Sequence, residues 1–240
     1  MKRITTFLFS LLLALSLTAQ EEMGGLGIHV GYAAPTLRIN SPYAASSKTL
    51  ETIPMNGLKV GLSYDATIAH GFGTNIGLNY TFGTYHSPWE STGLLSTDQV
   101  SYRDTYQGLE LFVDWQYKFE LAANTYLMIY TGPTIQMHLS LKEQEYVRSA
   151  SGSTTTRTRY GYEYRDNEAF QDYKRVNVTW GIGAGFQYKR FFVRGGYDFG
   201  LINPYKYDTF SKMGVESDYY TRGRFDQWQV KIGMYIWQAD

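Results

Sequence analysis

The chain has 240 residues, a formal net charge of zero and no cysteine. Neutrality removes the electrostatic case for nucleic acid, and the missing cysteines exclude disulfides, thiolate metal sites and a lipid-anchored N-terminal Cys. Aromatic residues reach 17%, with 22 Tyr beside 24 Gly, a combination that suits closely packed strands touching an interface.

Residues 1–20 read as a cleaved signal peptide and 21–240 as one β-barrel. Lys2 and Arg3 carry positive charge, Phe7 to Leu17 is apolar, and Thr18, Ala19 and Gln20 follow, which is the layout of an export signal. Its apolar run of about 11 residues falls short of the roughly 20 that a membrane-spanning helix needs. Beyond it the sequence alternates with a period of two. Strand one sets Leu26, Ile28, Val30 and Tyr32 against Gly25, Gly27, His29 and Gly31. Ala33 to Asn56, with Pro35, Pro42 and Pro54, reads as a loop. Strand two carries Leu58 to Ile68, and a tight turn at His70-Gly71 leads into strand three, Phe72 to Phe82. His86 to Thr105 reads as a second long connection. Strand four follows with Leu109 to Phe119, then a short turn, then strand five with Leu127 to Leu139. Pro133 cannot donate to a ladder and predicts a bulge.

Leu141 to Lys174 is the longest connection, with a Ser/Thr/Gly tip at Ser149 to Thr156 that suggests mobility and flanks that favour extended structure. Strands six and seven form a hairpin from Val176 to Leu201 about Lys189-Arg190. Asn203 to Gly223 is a loop, and strand eight sets Trp228, Val230, Ile232, Met234 and Ile236 against Gln227, Gln229, Lys231, Gly233, Tyr235 and Trp237. No helical period appears. The expected fold is all-β: an eight-stranded antiparallel up-and-down transmembrane β-barrel.

Such a barrel closes with its apolar face inside, as in a soluble lipocalin-like ligand-binding barrel, or outside, against lipid. Three features favour the membrane. The polar face is glycine, Asn, Gln and Thr, which suits a narrow interior. The charges sit only on that face: Lys59, Asp65, Glu110, Asp114, Lys118, Arg194, Asp198 and Lys231. Four acids and four bases form an expected ion-pair network in the lumen, because an unpaired buried charge is costly. Third, aromatics gather at strand ends as two expected lipid-facing girdles. With the short turns on the periplasmic side, Phe72, Tyr117, Phe119, Phe186, Tyr188 and Phe191 lie at one interface. Tyr80, Phe82, Trp180, Tyr197, Phe199 and Trp228 lie at the other.

The signal, the eight alternating strands, the short turns and the near-terminal strand QVKIGMYIW resemble the OmpA/OmpX-type outer-membrane β-barrel domain family, small porin-family barrels. The resemblance covers 21–240 and rests on pattern, with no diagnostic motif. Members typically end on an aromatic residue, whereas Gln238, Ala239 and Asp240 trail the last one here. It implies a monomer in the bacterial outer membrane, exported through the periplasm, without cofactor, and touching outer-membrane lipid and lipopolysaccharide.

Candidate chemistry is sparse, and no enzyme is expected. His138 and Ser140 share a strand face by parity, and with Glu143 or Glu145 they resemble the lipid A deacylase barrels; but His138 points to the lumen, away from lipid. His86 with Glu90, Asp98 and Asp104 is the nearest set to an omptin-type protease site, and solvated loop charge explains it better. The histidines at 29, 70, 86 and 138 have no metal-ligand spacing. The long connections are the better surface for a protein or glycan partner: Tyr160, Tyr162, Tyr164, Tyr219 and Tyr220, interleaved with arginines. The expected function is a barrel with a plugged polar lumen that serves envelope integrity or surface binding; a narrow porin-like channel and a soluble ligand-binding barrel are the alternatives.

Overall fold

The computed structural model describes residues 22–40, 50–91, 98–160, 174–204 and 222–238. Its eleven strands are β1 (Glu22–Asn40), β2 (Leu50–Pro54), β3 (Asn56–Ala69), β4 (Phe72–His86), β5 (Glu90–Ser91), β6 (Gln99–Ala122), β7 (Thr125–Arg148), β8 (Thr154–Tyr160), β9 (Val176–Tyr188), β10 (Phe191–Gly200) and β11 (Arg222–Gln238). Eight of them form a closed antiparallel ring in the order β1, β3, β4, β6, β7, β9, β10, β11, and β11 pairs back onto β1. The remaining three flank the ring at one end, β2 on β1, β5 on β6 and β8 on β7.

Two-residue turns at His70-Gly71, Ala123-Asn124 and Lys189-Arg190 join the strands at the other end. Gly71 has φ +83°, and a Cβ there would come 2.3 Å from the Lys118 carbonyl oxygen, so this corner requires glycine. The Gly71 carbonyl in turn accepts a 2.7 Å bond from the Lys118 amide, which ties the turn to the neighbouring strand.

Alternation decides which face is which. In every ring strand the Leu, Ile, Val, Phe, Trp and Tyr of one parity stand exposed on the outside, while charges and amides of the other parity are buried within. A soluble barrel would bury the apolar face, so that alternative is overturned. The ring strands outrun their expected limits. Ala33 to Asn56 is not one loop: β1 continues to Asn40 and β2 returns along it. His86 to Thr105 is likewise not one loop: it holds β5, and β6 already begins at Gln99, which pairs with Arg148 of β7. The Ser149 to Thr156 tip narrows to a turn in which the Gly152 amide donates to the Ser149 carbonyl at 2.9 Å and the Ser149 amide to that of Ser153 at 2.9 Å. Thr154 onward is β8.

Pro133 does not make a bulge. It pairs with Trp180 in an unbroken β7–β9 register, and the β6–β7 register is the same on either side of it. Of the two shifts between β6 and β7, one lies at the short turn between Glu120 and Ala122. The other falls higher, where Gln107 faces Ser140 and Gly108 faces His138, so Leu139 is the extra residue. A shift between β1 and β11 makes Ile236 extra between Tyr235 and Trp237, and it turns Trp237 outward beside Leu26 instead of inward.

Candidate functional site

The lumen is filled by side chains in three layers. In the middle, Glu110 on β6 accepts from Lys59 Nζ at 2.6 Å, Thr81 Oγ1 at 3.0 Å, Gln227 Nε2 at 3.0 Å and Asn79 Nδ2 at 3.1 Å. These donors come from β3, β4 and β11, so one carboxylate ties strands across the lumen. Lys59 also donates to Gln229 Oε1 at 2.9 Å, and Gln229 Nε2 donates to Asp198 at 2.8 Å. Nearer the short turns, Lys118 Nζ donates to Asp65 Oδ1 at 2.9 Å, and Tyr235 OH donates to Asp65 Oδ2 at 2.8 Å. Gln116 donates to Asp65 at 2.8 Å and accepts from Arg194 at 2.9 Å, while Arg194 stands 3.6 Å from Asp114.

The eight charged residues therefore make three direct ion pairs, Lys59–Glu110, Lys118–Asp65 and Arg194–Asp114. Asp198 takes hydrogen bonds from amides, and Lys231 lies 4.6 Å from the Phe112 ring centroid as a cation–π contact. The glutamines that join these groups were missed as site residues, although their parity already placed Gln116, Gln227 and Gln229 on the polar face.

Apolar clusters bound this polar layer at both ends. Toward the long connections, Leu37, Met55, Tyr106, Leu141 and Phe225 pack together, with the His138 ring edge-on to Phe225 at 4.9 Å. Toward the short turns, Met128, Phe192 and Tyr235 pack together. Glycines make the room: a Cβ on Gly183 would lie 2.3 Å from the Tyr130 ring, which itself stacks 4.3 Å beneath the Arg194 guanidinium. Only extending the alternation past the assumed strand ends would have placed Leu37, Tyr106, Leu141 and Phe225 inside.

All twelve girdle aromatics have outward parity. Phe72, Phe82, Tyr117, Phe119, Trp180, Phe186, Tyr188, Phe191, Phe199 and Trp228 are exposed; Tyr80 and Tyr197 are partly covered. Trp115 belongs with them, 5.8 Å from Trp180. Of the loop tyrosines, Tyr160 ends β8, and Tyr162, Tyr164, Tyr219 and Tyr220 lie outside the described residues.

The catalytic candidates come apart. The extra residue Leu139 breaks the shared face of His138 and Ser140: Ser140 pairs with Gln107 between the inward pairs Tyr106–Leu141 and Gly108–His138, and so it faces out. His86 pairs with Arg103 and Tyr85 with Asp104, which sets His86 and Asp104 on opposite faces of the sheet. Asp98 is occupied by the Ala150 amide at 3.1 Å. No three His, Asp or Glu residues gather as metal ligands among the described residues.

The fold is similar to that of Ail, the attachment invasion locus protein of Yersinia pestis, solved with the heparin analogue sucrose octasulfate: 12% identity, TM-score 0.39, covering 90% of this chain and 99% of that one. It is similar to Neisserial surface protein A at 10% identity and TM-score 0.40, covering 90% and 100%. It is also similar to the N-terminal β-barrel domain of Pseudomonas aeruginosa OprF at 13% identity and TM-score 0.29, covering 88% and 99%. No curated protein matches the chain. The family model of the outer membrane protein β-barrel domain matches residues 18–206. The chain is a member of the outer membrane protein β-barrel domain family, a small barrel of the bacterial outer membrane.

Proposed function

We propose that this protein is a closed, non-enzymatic anchor whose function lies in the surface it raises above the outer membrane, residues 1–20 being removed on export. The three-layer filling of the lumen carries this reading. A path along the barrel axis meets the Leu37–Phe225 cluster, then the buried ion pairs, then the Met128–Tyr235 cluster. An apolar constriction resists wetting, and eight strands leave little bore beyond side-chain volume. The outward aromatics would sit at the two lipid interfaces, with the short turns in the periplasm.

Above the membrane, β6 and β7 continue as a sheet flanked by β5 and β8. Its described surface carries exposed Trp89, with the Arg148 guanidinium 4.4 Å from the ring centroid, and exposed Tyr102 and Arg157. Aromatic and arginine side chains of this kind anchor protein or glycan contacts. Two measurements test the reading. In a planar lipid bilayer the purified protein should give no open-pore conductance steps, and steps of porin size would establish the channel instead. On arrays of glycans and extracellular proteins, liposomes bearing the wild type should be retained more than liposomes bearing W89A/Y102A/R157A. Equal retention would remove the sheet as the contact surface.

A further inference from the structure

Among the described residues, the outside of the barrel carries one buried acid. In the β1–β11 register, Leu37 pairs with Phe225 and Pro35 with Gln227, and all four are buried inside. The intervening pair Thr36–Asp226 and the next pair Arg38–Arg224 therefore face outward. Asp226 is nevertheless 0% exposed. Arg224 Nε donates to its Oδ2 at 2.8 Å, Tyr197 OH donates to the same oxygen at 2.8 Å, and Arg38 Nε lies 3.2 Å from it. The Gly200 amide donates to Oδ1 at 2.9 Å. The β10–β11 ladder ends at Asp198–Gln227, so the carboxylate receives an amide that the ladder leaves open. A Cβ on Gly200 would come 2.9 Å from Arg224 Cγ, so the arginine stem occupies the space of a missing side chain.

Among the described residues one carboxylate faces two guanidinium groups, a surplus of one positive charge. Arg38 and Arg224 leave 35% and 46% of their side chains exposed. Asp226 engages Arg224 through Nε, which leaves the terminal amino groups, part of the planar fork that suits phosphate, without a bond to any described residue. On the membrane side, Tyr197 packs against Phe199 at 4.6 Å and Trp228 at 4.7 Å, both T-shaped and on the same outward face. Apolar and aromatic surface thus continues directly into fixed positive charge, at the end of the barrel that carries the long connections.

We propose that Arg38 and Arg224 form a docking site for the phosphate of a phosphorylated glycolipid in the outer leaflet. Asp226 is the positioning residue that holds both guanidinium groups, and the Tyr197–Trp228 surface receives the acyl portion. This rests on the outer-membrane location and is independent of a closed lumen or a loop ligand.

Native mass spectrometry of the full protein in detergent, with bis-phosphorylated lipid A and with its dephosphorylated form as probes, tests it. A 1:1 adduct with the phosphorylated form is expected, weakened at least about tenfold in R38Q/R224Q, since each charge-assisted bond lost is of that order. Folding of the variant is checked by heat-modifiable gel migration. A second variant, R38K/R224K, keeps the charge without the fork and should bind several-fold more weakly than wild type. Equal adducts with both lipid forms, or wild-type binding by both variants, overturn the site. With inorganic phosphate as the probe, a phosphate adduct on the wild type that R38Q/R224Q lacks, together with no adduct of either lipid form, overturns the lipid as its occupant and leaves a site for free phosphate.

Discussion

Glu110 in the lumen and Asp226 on the outer rim are equally buried, at 1% and 0% exposure, yet their surroundings differ in stoichiometry. Glu110 meets one cation, Lys59, itself 0% exposed, and its other donors are neutral. The pair is closed on itself and leaves nothing to offer a ligand. Asp226 meets two cations that both reach solvent, so among the described residues one positive charge is left over. Burial of an acid is thus a poor guide to its role. The number of cations around it, and whether they remain accessible, separates a structural plug from a surface that can recruit an anion.

The largest expected effect breaks the inner member of this comparison. Glu110→Ala leaves Lys59 charged and unpaired in the lumen, and should cost about 3–5 kcal/mol, read by urea unfolding of the barrel in lipid vesicles. A cost below about 1 kcal/mol would mean that water reaches Lys59, and the closed lumen would go with it. In the same measurement, K59M/E110L should recover most of that loss, because an apolar pair of similar volume replaces a buried ion pair at little cost. Failure to recover would assign the loss to the bonds from Thr81, Asn79 and Gln227. The smallest effect belongs to the rim. Asp226→Asn keeps an acceptor for the Gly200 amide and sets an NH2 donor against the Tyr197 hydroxyl, which can accept from it, while removing one charge among half-exposed arginines. It should change stability by no more than about 1 kcal/mol. A loss as large as that of Glu110→Ala would show that the rim cluster is structural after all.

Much of the membrane-spanning part was legible. From Val176 to Phe199 the alternation places Trp180, Phe186 and Phe199 outside and Arg194 and Asp198 inside, and the ring places them so. A strand has only two faces, and one of them is apolar. Legibility ended where the period was interrupted. Counting in twos places Ser140 and Trp237 inward, and single extra residues at Leu139 and Ile236 turn both outward. Nothing in the local sequence marks either shift, because the hydrogen bonding of the partner strand sets it. Arg38, Arg224 and Asp226 lay outside the expected strand limits, or beside them, and so went unread as a group. The apolar ends of the lumen escaped for the same reason.

The sequence alone determined the class of the fold, the number of ring strands and, away from Leu139 and Ile236, which residues of a strand share a face, since a two-residue period leaves a strand only two faces. That the apolar face is the outer one is visible in the closed ring. Tertiary closure decided who meets whom. Lys59 and Glu110 are 51 positions apart and Lys59 and Gln229 are 170 apart. Arg38 reaches Asp226 only because β11 returns to pair with β1. Such contacts depend on register and on the closing of the ring, and both are properties of strand pairs, which no single strand encodes.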